Sequence, residues 1–338
     1  MPKESILPDS AYRFRTRLSQ AAGLSDSAIT AAWPDWWSDA ADASPSAVAE
    51  LRFSVARKLG LDPRSLLEEE QPRFVWDDSA KYKNFKGDAE RERPAITAFG
   101  TSLGRMLVKA TPDFVPIEGL EAEGLRRSIL SQKPFIGLVG LLAFLWGIGV
   151  PVIHLRVFPL AAKRMCAMAV RVHGRYAVLL AQDSQYPATI AFHLAHEIGH
   201  IALGHVGENS ALVDMEDTNE AIDEKDEEEL AADRFALHLL TGNPHFRVGK
   251  VGEGHSAKQL AEQALEIGPQ NGIEPGTLAL CYGHETAEWG VVQKALARIY
   301  SSPIPAWSVT NSIANSQLSW GELGDENASF VHAVMGVS

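Results

Sequence analysis

The spacing of apolar positions changes along this chain, and each change predicts a different kind of element. Val48, Leu51, Val55 and Leu59 recur at helical spacing behind Ser44-Pro45, a cap and first turn, and Gly60 supplies the stop. A second short helix is expected after Pro63. Residues 68–93 turn polar and charged, which predicts a linker or exposed connection. Helices are expected near 95–110 and 119–132, then a strongly apolar one over 135–146. After Pro151 the pattern becomes β-prone: a strand over 152–157, then MCAMAVRV and RYAVLLAQ, joined at His173-Gly174 as a hairpin. Pro187 opens a helix running to about His205, and Glu227–Leu240 forms another, with its exit at Thr241-Gly242-Asn243-Pro244. The chain past Pro303 is less patterned, and no repeat is evident.

These elements predict an α+β, mostly helical protein. Its expected organisation is an N-terminal helical part (1–75), a linker with connecting helices (76–130), a unit over 131–300, and a C-terminal tail (301–338). The segment SPSAVAELRFSVARKLGLDPRSLL looks like the later helices of a helix-turn-helix module. Residues 135–153 carry no charge, yet Gly147, Gly149 and Pro151 interrupt them. The helix-like part is therefore far shorter than the roughly 20 residues of a membrane span. A buried helix followed by a buried strand is expected instead.

Composition narrows the class of function. The chain has 338 residues, 46% of them hydrophobic, enough for a sizeable core. Two cysteines, Cys166 and Cys281, make no disulfide framework, and the first residues lack the apolar core of a signal peptide, so a cytoplasmic location is expected. Of the formal net charge of −12, ten acidic residues and one lysine between Glu216 and Asp233 contribute −9. Bulk charge therefore gives no argument for nucleic-acid binding, and only a local face such as Arg13, Arg15 and Arg17 offers one.

The candidate chemistry lies in AFHLAHEIGHIALGH, which contains HExxH inside a helical apolar repeat. Residues four apart share a helical face, so His196 and His200 can aim at one metal ion, with Glu197 beside the open coordination position. A third ligand is needed. The extended HExxHxxGxxH pattern fails, because Leu203 and Val206 stand where glycine and histidine belong. Continued as a helix, the chain carries His205 roughly 140° away from His200. His193 lies a turn too early, and both read as packing or surface histidines. A glutamate from the second helix is the alternative. Glu229 stands four residues before Asp233 on one helical face, where the aspartate can orient a ligating histidine through its second N–H.

The pair FHLAHEIGHIALGH and EEELAADRFALHLL resembles the ImmA/IrrE family of intracellular zinc metallopeptidases, over roughly residues 130–300. The resemblance implies a zincin-like unit with a small antiparallel sheet beside the HExxH helix. It also implies one Zn²⁺ per chain held by His196, His200 and Glu229, and Glu197 as catalytic base. LLTGNP departs from the proline-ending segment expected after the second helix. Family relatives cut a partner helix-turn-helix repressor, releasing stress, DNA-damage or phage-defence genes, some on a trigger of single-stranded DNA. No membrane role is implied, and the acidic stretch 216–229 is suited to attracting a basic partner.

Tyr176, His173, His238 and Tyr282 are candidate oxyanion donors. Cys166, in a β-prone run, is a candidate inhibitory zinc ligand, the plainer reading being a small buried hydrophobe; Cys281 has less claim. The competing functional reading is an antitoxin-like, DNA- or protein-binding regulator in which the metallopeptidase unit is a sensor or scaffold.

Overall fold

The computed structural model describes residues 10–68, 70–76, 80–83, 92–112, 114–162, 165–215, 227–248, 256–302 and 304–337. Most of the acidic stretch, 216–226, lies outside them. Among the described residues the protein is α+β, with fourteen α-helices and one five-stranded sheet. No described helix is long and apolar enough to cross a membrane.

The described residues begin with α1 (Ser10–Ala22), α2 (Asp26–Ala32), α3 (Pro45–Leu59) and α4 (Pro63–Leu67). Ser44 caps α3 by accepting from the Ala47 N–H, Pro45 sits in its first turn, and Gly60 closes it in the left-handed conformation. Of the proposed basic face, Arg15 stacks over Trp33 at 4.1 Å and Arg17 donates to the Leu66 carbonyl, so both are spent within the fold. The run read as a linker contains a strand, β1 (Ala80–Lys83). Beyond it come α5 (Arg93–Lys109), α6 (Ala122–Leu130), the apolar α7 (Leu138–Gly147) and β2 (Val152–His154).

The sheet is completed by β3 (Met165–Val172), β4 (Arg175–Leu180) and β5 (Ala211–Met215), in the order β1-β5-β3-β4-β2. The expected antiparallel sheet needs correcting: it is mixed. β3 is antiparallel to β4 and β5, but β1 runs parallel to β5 and β2 parallel to β4. Each parallel pair is reached by a crossover through other elements, a connection that the hairpin signal at His173-Gly174 does not reveal.

The faces of β3 are unlike. Met168 and Val170 lie under α5, where a Cβ on Gly104 would stand 3.0 Å from Val170, so glycine there lets the helix sit close to the strand without displacing it. The alternate residues Ala167 and Ala169 face the other way, toward α8 (Pro187–Ala202), and their small size lets that helix sit close to the sheet. α9 (Glu227–Thr241) then packs along α8.

The remaining chain forms α10 (Ala257–Gln270), α11 (Pro275–Thr286), α12 (Trp289–Ile299), α13 (Ala306–Gln317) and α14 (Asp325–Met335). The weakly patterned tail is thus two packed helices. Asn311 on α13, fully buried, accepts from the His154 N–H and donates to the carbonyls of His154 and Met335. Glu326 on α14 accepts from Trp36 and Ser54, and Phe330 meets Phe99 of α5 edge-on at 6.1 Å. One apolar cluster consequently runs from Phe14 to Met335, joining both ends of the chain to the sheet.

Candidate metal centre

Two helices and one sheet edge converge on a single point. α8 carries His196 and His200 one turn apart, and their rings stand 77° to each other with centroids 4.6 Å apart. α9 brings Glu229 to them. The approach depends on Gly199, where a Cβ would stand 3.1 Å from the Ala232 carbonyl oxygen and 3.1 Å from the Phe235 Cβ. All three side chains are buried.

The donor atoms form a tight triangle. His196 Nε2 lies 3.0 Å from His200 Nε2 and 3.4 Å from Glu229 Oε2, and His200 Nε2 lies 3.3 Å from Glu229 Oε1. Donors bound at about 2.1 Å around one tetrahedral ion stand roughly 3.4 Å apart. The triangle therefore matches the span of a shared divalent ion. Nitrogen and carboxylate oxygen also make up the donor set that zinc takes in hydrolytic sites.

The supporting contacts fix the rings. His196 Nδ1 lies 3.0 Å from Asp233 Oδ1, so it donates there and leaves Nε2 with its lone pair toward the triangle. His200 Nδ1 shares a hydrogen bond of 2.8 Å with His205 Nδ1. The sequence reading carried His205 around a continuing helix, and here the structure differs. α8 ends at Ala202, Gly204 turns left-handed, and the His205 N–H returns to the His200 carbonyl. That reversal places the imidazole behind its neighbour.

Glu197 is fully buried, and neither carboxylate oxygen has a hydrogen-bond partner among the described residues. Burial raises its carboxyl to about 8, with His196 opposing and Asp214 adding to the rise. Burial alone would favour neutral His196, but Asp233 and Glu229 outweigh it and raise the imidazole to about 10. Burial likewise disfavours the Glu229 carboxylate, yet its bonds to His196 and His200 hold it well below the usual range. A divalent cation between the rings would offset the carboxylate charge gathered there.

Two nearby groups escaped sequence reasoning. Lys83, at the end of β1, is buried and reaches Glu228 at 2.9 Å and Glu229 at 3.7 Å. Asp214 on β5 is its register partner, on the same face of the sheet. A lysine within a polar run and an acid inside ALVDM are the only local signals, and neither says which element will be adjacent.

The other candidates stand at separate places. Tyr176 on β4 donates to Glu118, while His173 is exposed at the left-handed hairpin tip. His238 lies farther along α9 beside Glu123, and Tyr282 on α11 bonds Glu288. Cys166 is buried on β3 and groups with His193 and Asp214 instead of joining the triangle. Cys281, on α11, is raised to about 12 by burial, with Glu285 adding to the rise, so its thiol stays protonated. The divergent LLTGNP segment lines a cleft of about 410 Å³ with α10 and α11. No protein-family model, curated protein or solved structure matches this chain.

Proposed function

We propose that the protein is a cytoplasmic zinc-dependent endopeptidase of the ImmA/IrrE type that cleaves a partner helix-turn-helix repressor. One observation carries the reading: a fully buried glutamate with both oxygens unbonded among the described residues stands next to a His–His–Glu triangle of zinc dimensions. In this reading α8, α9 and the sheet form the zincin-like unit. The helices before residue 76 are a helix-turn-helix-like module acting as scaffold, since α3 feeds the common core and Ser65 and Leu66 of the five-residue α4 are buried.

His196, His200 and Glu229 would hold the ion. When bound, zinc polarises the scissile carbonyl and lowers the pKa of water to about 7. Glu197 takes the proton of the attacking water and returns it to the leaving amine. Burial raises the Glu197 carboxyl to about 8, and a divalent charge held by the triangle would favour its ionised, basic form at neutral pH. Asp233 and His205 keep the two imidazoles aimed.

The test is metal analysis of the full chain, followed by incubation with candidate repressors, with and without single-stranded DNA. About one zinc lost on His196→Ala supports the reading. Cleavage reduced about 10²–10⁴-fold by Glu197→Gln, with zinc retained, establishes it. Binding of the repressor without cleavage under every trigger points to the regulator instead.

A further inference from the structure

α8 carries two stripes of side chains at four-residue spacing. His196 and His200 face α9, while His193 and Glu197 lie on the neighbouring stripe. Opposite His193 stand Cys166 of β3 and Asp214 of β5. The thiol sulfur, an imidazole nitrogen and a carboxylate oxygen of these three all lie within 4.8 Å of one another. Cys166 and Asp214 are 6% and 8% exposed, so two of the three donors are removed from solvent.

The backbone is arranged to bring the thiol there. Met168 and Val170 lie beneath α5, and strict alternation would send Cys166 to that same face. A bulge between Met165 and Ala167 breaks the alternation and turns Cys166 toward α8. The Cys166 carbonyl, accepting from the Ala181 and Gln182 N–H groups at 2.8 and 3.1 Å, pins the bulge in place.

We propose that Cys166, His193 and Asp214 form a second cation site, separate from the His196–His200–Glu229 triangle, that takes a thiolate-seeking divalent ion such as zinc, cobalt or cadmium. The donor chemistry selects the class: one sulfur with one nitrogen and one oxygen excludes magnesium and calcium, which take oxygen ligands, and suits borderline-soft metals. Binding draws the donors together to roughly 3.5 Å. The thiol S–H bond breaks, a sulfur–metal bond forms, and the proton goes to solvent.

The site is independent of peptidase activity, and cobalt titration of the chelator-stripped full chain tests it. Two equivalents are expected, with the ultraviolet thiolate-to-cobalt charge-transfer band that a His–His–Glu site cannot give. Cys166→Ser should remove the band and one equivalent, and His193→Asn should remove that equivalent too, guarding against a folding defect of one variant. His196→Ala should remove the other equivalent and spare the band. A single equivalent whose band survives His196→Ala keeps this proposal while the peptidase reading fails. A single equivalent without a band overturns it, as does a band lost with His196→Ala, which would put the thiolate on the first ion.

Discussion

Asp233 shows how much of a candidate metal centre lies one contact behind the donors. Its carboxylate makes no edge of the donor triangle, yet it fixes the His196 tautomer from 3.0 Å away. Asp233→Asn keeps the shape and removes the charge, and such outer contacts are worth about 10–100-fold in metal affinity. Weaker zinc binding in that range, read by competition with a chromophoric chelator, is expected at unchanged fold. An unchanged affinity would mean the aspartate does not orient the ring. His205 serves His200 in the equivalent place with a neutral group. Burial lowers its pKa, with His200 adding to the lowering, so it offers hydrogen bonding without a charge.

At the level of elements, the decisive contact is the close crossing of α8 and α9, and Gly199 permits it. A methyl there meets the Ala232 carbonyl and Phe235 at 3.1 Å, so α9 must retreat by a few tenths of an ångström. Overpacking of this kind costs about 1–3 kcal/mol, against roughly 1 kcal/mol gained by replacing glycine with alanine inside a helix. Gly199→Ala is therefore expected to keep helix content, to lower stability by up to about 2 kcal/mol, and to weaken zinc binding, because Glu229 moves with α9. Calorimetric zinc titration beside circular dichroism checks both halves. The two helices themselves were legible: the apolar repeat, Pro187 and the Thr241-Gly242 exit mark their extents to within a few residues. β1 and β5 were not, since strands of four and five residues without a turn signal read as loop.

For the whole molecule, one large apolar cluster spans the described chain from Phe14 to Met335 and is closed by α13 and α14, while α10–α12 pack around two smaller ones. Asn311 ties β2, α13 and α14 together with three buried hydrogen bonds. Asn311→Ala strands the His154 and Met335 backbone groups, at about 1–3 kcal/mol for each buried group left unsatisfied. A lower denaturant midpoint is expected in one cooperative transition, with the affinity of the folded protein for added zinc unchanged. A midpoint equal to the wild type would show that solvent or neighbouring groups replace these bonds.

The sequence by itself determined the α+β composition, the two site helices and the face on which His196, His200, Glu229 and Asp233 lie. Those facts depend on residues four apart, and helical spacing fixes such neighbours locally. Tertiary structure alone decided that Lys83 and Asp214 border the site, that His205 folds back onto His200, and that a bulge turns Cys166 toward His193. Strand order, register and a left-handed turn set those contacts, and each joins segments through space in ways that no local spacing encodes.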